Sequence, residues 1–275
     1  MRVLTVPILI LSFALAGDGP QGADRQAERL RAMREFADGV VVQADSPADQ
    51  RKSERLAEPI YRFDDPARLF SDGSVWAWGR SGRPAALLTL AKERAPAGGY
   101  QWLAELTSLA PTPISASVPE IGTWQPASAG VVIRSFPKAP SPGDDATTRF
   151  RQMRELVRQM KAYEFFAPDN EPTPRRYELR ILPQPVYRYA DAQAGLIDGG
   201  LFMISYGLNP ELAFLVEARR ENSSPPKWSY GVARISIAQI HVDFDGREIW
   251  SHPGGYSKGP QDIYWLFTKP IAPGE

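Results

Sequence analysis

The chain has 275 residues, with 32 Lys plus Arg against 32 Asp plus Glu, so its formal net charge is zero and nucleic acid is not an expected partner. Cysteine is absent, which excludes disulfides, thiolate nucleophiles and Cys-based metal sites, and the only histidines, His241 and His252, cannot make a three-histidine centre within one chain. Abundant proline (26) and glycine (22) argue for many turns and strand ends rather than long helices.

Met1 and Arg2 precede an apolar run, residues 3–15, that ends in the small-x-small sequence Ala14-Leu15-Ala16. That pattern reads as a secretory signal over residues 1–16, and an apolar run so short does not suffice for a membrane-spanning helix. The expected product is an exported protein, periplasmic or extracellular after cleavage near Ala16, with no transmembrane segment in the mature chain.

Sliding the sequence against itself by 126 residues lays the segment 59–124 over 185–250, pairing Tyr61-Arg62 with Tyr187-Arg188, Asp72-Gly73 with Asp198-Gly199, Trp102 with Trp228 and Trp124 with Trp250. Upstream the shift becomes 120 and lays Arg29 and Met33 over Arg149 and Met153. The expected organisation is a first repeat over 17–136, a proline-rich linker over 137–145 and a second repeat over 146–275. Each repeat reads as one helix followed by an antiparallel meander, an α+β fold of two tandem units with about eight to ten strands and two main helices.

The first helix is expected to carry its apolar stripe on Leu30, Met33, Phe36 and Ala37 and to end at Gly39 or the Ser46-Pro47 turn. Strands are expected over 59–63, 74–79, 85–92, 100–109 and 131–136, with Asp72-Gly73 as a tight bend. The second helix is expected over 145–166, followed by strands over 177–189, 201–206, 211–219, 228–237 and 263–267, with Asp198-Gly199 as the matching bend. Arg25, Arg29, Arg31 and Arg34, like Arg149, Arg151, Arg154 and Arg158, suggest solvated basic helix faces.

The stretch from Phe70 to Leu90, with its Asp72-Gly73 pair and the aromatic strand residues Trp76 and Trp78, followed by Trp102 to Leu109, resembles a segment of exported planctomycete-type bacterial proteins of unknown function. What the resemblance implies is export and a bacterial envelope setting; it carries no activity and no functional residue.

His241-Val242-Asp243-Phe244-Asp245 is the best constellation for chemistry, because the strand period of two puts one imidazole and two carboxylates on one face. With His252 these residues are the candidate ligands of a divalent metal, or the acid/base groups of a hydrolase, although one strand spreads them over about 13 Å. The glycine-rich loop after Ser251 and the aromatics near the C-terminus offer ligand contacts through Tyr256, Lys258, Tyr264 and Trp265. Trp76, Trp78, Trp102, Trp124, Trp228 and Trp250 read as core. No nucleotide-binding loop or nucleophile elbow is present. The expected function is a non-catalytic binding or interaction module of the envelope, taking an envelope protein, a polysaccharide or a peptide, without a cofactor; a metal-dependent or acid/base hydrolase is the alternative.

Overall fold

In a computed structural model, residues 20–44, 52–65, 70–79, 82–96, 98–167, 173–220 and 224–271 are described, with the side chains of 20–23, 65, 70 and 71 left aside. The signal expected over residues 1–16 and the Ser46-Pro47 turn lie outside the described residues.

In the first half, helix α1 (Pro20–Gly39) leads into β1 (Val41–Ala44) and β2 (Lys52–Ser53). A meander follows in β3 (Tyr61–Asp65), β4 (Phe70–Trp78), β5 (Ala86–Arg94) and β6 (Tyr100–Ser108), and then β7 (Ile114–Val118) and β8 (Gly122–Trp124). After the short β9 (Arg134–Ser135), the second half runs the same course. Helix α2 (Ala146–Arg158) leads into β10 (Met160–Phe166) and β11 (Arg175–Ile181). Its meander is β12 (Tyr187–Asp191), β13 (Leu196–Tyr206), β14 (Asn209–Arg219) and β15 (Lys227–Arg234), followed by β16 (Gln239–Phe244), β17 (Arg247–His252) and β18 (Tyr264–Pro270).

The strand orders of the halves correspond. In the first half β2-β1-β7-β8 form one sheet and β3-β4-β5-β6 belong to another. In the second, β11-β10-β16-β17 and β12-β13-β14-β15 repeat that order, joined into one nine-stranded sheet because Ile181 pairs with Ile204 and Arg180 with Ser205. The matching pair in the first half, Arg55 with Trp78, is an isolated bridge. The last strand of each half is exchanged: β9 closes the edge of β15, and β18 closes the edge of β6.

The α+β expectation of eight to ten strands is thereby corrected. The described residues form eighteen strands in three sheets, 51% strand against 13% helix, so the fold is largely antiparallel β. Part of the correction lies after α2. The apolar stripe Met153, Leu156, Val157 ends at Arg158, and from Met160 the pattern changes to period two, with Met160, Ala162 and Glu164 buried and Lys161 and Tyr163 turned outward. Residues 160–166, expected as helix, thus become a strand held on both sides, by β11 and by β16. The expected strand over 177–189 divides into β11 and β12, and that over 131–136 shrinks to β9.

Three cores follow from the alternation of side chains along the long strands. Ser74, Trp76 and Trp78 of β4 face α1, whereas Val75 and Ala77 face the second half; Phe202 and Ile204 of β13 face α2, whereas Leu201 and Met203 face the first. Two meanders therefore pack face to face through Val75, Leu87, Leu109, Leu201, Leu215 and Ile235, each with a helix on its far side. With both faces covered, the strands read as nearly continuous apolar runs.

The two Asp-Gly pairs are not the expected bends. They lie inside β4 and β13, where a Cβ on Gly73 would sit 2.3 Å from the Phe63 ring and one on Gly199 2.4 Å from the Tyr189 ring. Glycine is there so that the aromatic ring of the neighbouring strand can lie flat on the backbone. The preceding aspartates are buried and each gathers two arginines. Arg29 Nε and Arg62 Nη2 meet Asp72 at 3.1 and 2.6 Å; Arg149 Nε and Arg188 Nη2 meet Asp198 at 3.1 and 2.7 Å. These four arginines are the pairs laid together by the 120- and 126-residue shifts, so Arg29 and Arg149 tie helix to sheet rather than serving solvated basic faces. Because the arginines keep partial access to water, Asp72→Asn and Asp198→Asn should each lower stability by about 1–2 kcal/mol, seen as parallel shifts of the urea midpoint.

Candidate functional site

The richest solvent-facing constellation lies on the outer face of β11-β10-β16-β17. Alternation puts Tyr163 and Phe165 of β10 outward, and the register sets Tyr163 opposite His241 of β16. Their rings stack at 4.9 Å and 7°, and Phe165 meets His241 edge-on at 5.9 Å. On the other side the Arg176 guanidinium from β11 covers Tyr163 at 3.6 Å from the ring centre. Glu248 of β17 completes the row, 2.6 Å from His241 Nδ1 and accepting from the Ser251 hydroxyl at 2.9 Å. Those hydrogen bonds, His241's first, hold the Glu248 carboxyl below its usual range. Arg176 also meets Glu178 at 2.8 Å. Four neighbouring strands thus present a ladder of flat rings flanked by paired acids and bases. In the first half the corresponding face pairs Gln43 with Ser115 and Val41 with Ser117, with no ring among these residues.

His241 and Asp243 do share this face, as the period of two requires, but His252 does not. His252 pairs with the buried Ile240, so it points to the opposite side of the sheet. There its Nδ1 accepts from the Gly254 backbone N–H at 3.0 Å and lies 3.4 Å from Arg234 Nη1. Burial, aided by the Arg234 charge, lowers the His252 pKa and favours the neutral ring. Asp245 is past the strand end, at φ 49° in the turn before Gly246. Among the described residues no group of three or more His, Asp or Glu side chains is placed to hold a metal ion.

The candidate ligand contacts near the C-terminus separate as well. Tyr256 is 73% exposed, and Lys258 is exposed, its backbone N–H donating to Asp262 Oδ2 at 2.6 Å. Tyr264 and Trp265 are buried, which corrects their expected surface role: β18 is the edge strand paired with β6, yet Tyr264 has no exposed area and Trp265 packs on Phe267 at 4.5 Å. Five of the tryptophans read as core are buried, and Trp250 is half-buried against the α2-side core.

Two buried polar clusters between the halves are not evident from sequence. In one, Arg83 of the first half grips Glu217 of the second through two bonds of 2.7 and 2.8 Å, while Arg219 and the Tyr189 hydroxyl donate to the same carboxylate at 2.9 and 3.0 Å. In the other, the Tyr264 hydroxyl donates to Glu105 at 2.5 Å beneath the Arg234 guanidinium, 4.3 Å from the Tyr264 ring centre, and Thr107 donates to the Arg234 carbonyl at 3.0 Å. The available signal was a glutamate inside an apolar strand run, as in Trp102-Leu103-Ala104-Glu105-Leu106 and Leu215-Val216-Glu217-Ala218.

No protein-family model, curated protein or solved structure matches the chain.

Proposed function

We propose that the protein is an exported, non-catalytic binding module of the bacterial envelope, and that its ligand face is the outer surface of β11-β10-β16-β17. The observation that carries this reading is the Arg176–Tyr163–His241–Glu248 ladder, present on one half of a pseudo-symmetric chain whose other half shows Gln43, Ser115 and Ser117 at the matching place. The paired strand orders and the paired arginine–aspartate clusters support descent of the halves from one duplicated unit, on which such a face arose once.

The chemistry of the face suits an uncharged, hydroxyl-rich polymer such as a neutral polysaccharide. Lys161, Arg176 and Arg180 are balanced by Glu178, Asp243 and Glu248, so no net charge selects an ionic partner. Half-exposed ring edges beside donors and acceptors offer apolar contact and hydrogen bonds to sugar rings. Affinity electrophoresis through gels containing soluble β-glucan or mannan tests the reading. The wild type should be retarded, and Tyr163→Ala or His241→Ala should lose at least about tenfold in affinity while keeping the wild-type melting temperature within a few degrees. Equal mobility of wild type and variants on every neutral glycan would sink it.

A further inference from the structure

On the first half a groove of about 340 Å³ lies between α1 and the β6–β18 edge, within the range of small-molecule sites. Phe36 and Trp102 supply its aromatic lining, and Glu28, Glu35, Arg31 and Lys269 supply charges of both signs. The second half shows why it is open. Lys269 pairs with Trp102 across β18 and β6. The residue in that position opposite Trp228 is Phe136, whose N–H donates to the Trp228 carbonyl at 3.0 Å. Phe136 is buried, its ring 5.0 Å from Tyr230 and 5.1 Å from Phe244, so the register position that holds a core ring in the second half holds a lysine at the groove in the first. Lys269 instead extends across the Phe36 ring at 5.8 Å to meet Glu120, a carboxylate 74% exposed, at 2.9 Å.

We propose that this groove binds a small zwitterion bearing a flat apolar group, the chemistry of an aromatic amino acid. The exchange of a plugging phenylalanine for a lysine creates both the space and a cation at its rim. Arg31 and Lys269 are placed to receive a carboxylate, Glu28 and Glu35 an ammonium group, and Phe36 and Trp102 a ring. The Lys269–Glu120 pair is no obstacle, because a pair with one partner so exposed exchanges at little cost. The site is on the other half from the aromatic ladder, and its test is independent of that reading.

The experiment is a titration of the 15N-labelled protein with L-phenylalanine, phenylpropionate and phenethylamine, following the Trp102 indole resonance. Phenylalanine should shift it saturably, and each relative lacking one charge should bind at least about fivefold more weakly. Lys269→Phe, which copies the plug of the second half, should abolish the shift without lowering the melting temperature, and Arg31→Ala, at an exposed helix position, should weaken phenylalanine binding by about fivefold or more. Absence of a saturable shift with phenylalanine, binding of either single-charge relative as tight as phenylalanine, or undiminished binding by a folded Lys269→Phe or Arg31→Ala variant overturns the proposal.

Discussion

Replacing Glu217 by alanine is expected to destabilise the protein by about 3–5 kcal/mol, read from urea unfolding of wild type and variant, because it strands charges in the plane where the halves meet. Glu217 has no exposed side-chain area and Arg83 only 8%, so neither can turn to water for compensation. Burial alone would raise the Glu217 pKa, but the hydrogen bonds and charge of Arg83, then of Arg219, hold it below the ordinary carboxylate value. The pseudo-symmetric place does without this ion pair: by the 126-residue shift Glu217 answers to Ala91 and Arg83 to Asn209. A double variant, Arg83→Met with Glu217→Met, should therefore recover most of the loss, since it removes both buried charges and leaves without this partner only the charge of Arg219, whose side chain keeps 26% of its exposure. A double variant as unstable as Glu217→Ala alone would mean that this joint requires the ion pair itself.

The second large effect is one of pH. Burial, the main cause, raises the Glu105 carboxyl to about 8; the Tyr264 hydrogen bond and the Arg234 charge oppose the rise, and the charges of Glu211 and Glu93 add to it. These groups come from β18, β15, β14 and β5, the elements around β6. The folded chain thus holds a proton that the unfolded chain releases above about pH 4.5. The contribution is fully present below that value and is lost as pH rises towards 8, by up to about 5 kcal/mol over the window. His252 works in the opposite sense, its lowered pKa favouring the folded state as pH rises, so the comparison must be made against Glu105→Gln. Unfolding free energies at pH 5, 6.5 and 8 should fall more steeply for wild type than for Glu105→Gln. Parallel curves would mean that Glu105 is ionised in the folded chain.

The sequence made legible what depends on pattern and repetition. Met33 and Met153 mark helix stripes, Trp76 and Phe202 mark long buried strands, and the 126-residue shift aligned Arg62 with Arg188 and Asp72 with Asp198 before their ion pairs were visible. What escaped was local pattern overruled by tertiary contact. Asp72-Gly73 has the chemistry of a turn, yet a ring from the adjacent strand and two arginines make it strand. The short strands β1, β2, β7 and β8 lack a run long enough to show period two, and β10 begins within one turn of a helix end. Of the site, the period of two within β16 singles out His241 but joins it to Asp243 and Asp245; Tyr163 and Glu248, which touch it, and Arg176, which covers Tyr163, come from three other strands, and no spacing within β16 encodes them.

The exchanged edge strands set an order of events. Tyr264 of β18 is 159 residues beyond Glu105, its partner in β6, so that edge stays bare until those residues have emerged. A chain synthesised from its N-terminus thus has, until β18 follows, an unpaired strand and a buried-type glutamate open to water. β18 acts as a latch on a unit made long before it, and neither half can be separated without baring a strand that the other half covers. Loss of β18 would leave an adhesive edge on the first half, available to the same strand of another molecule.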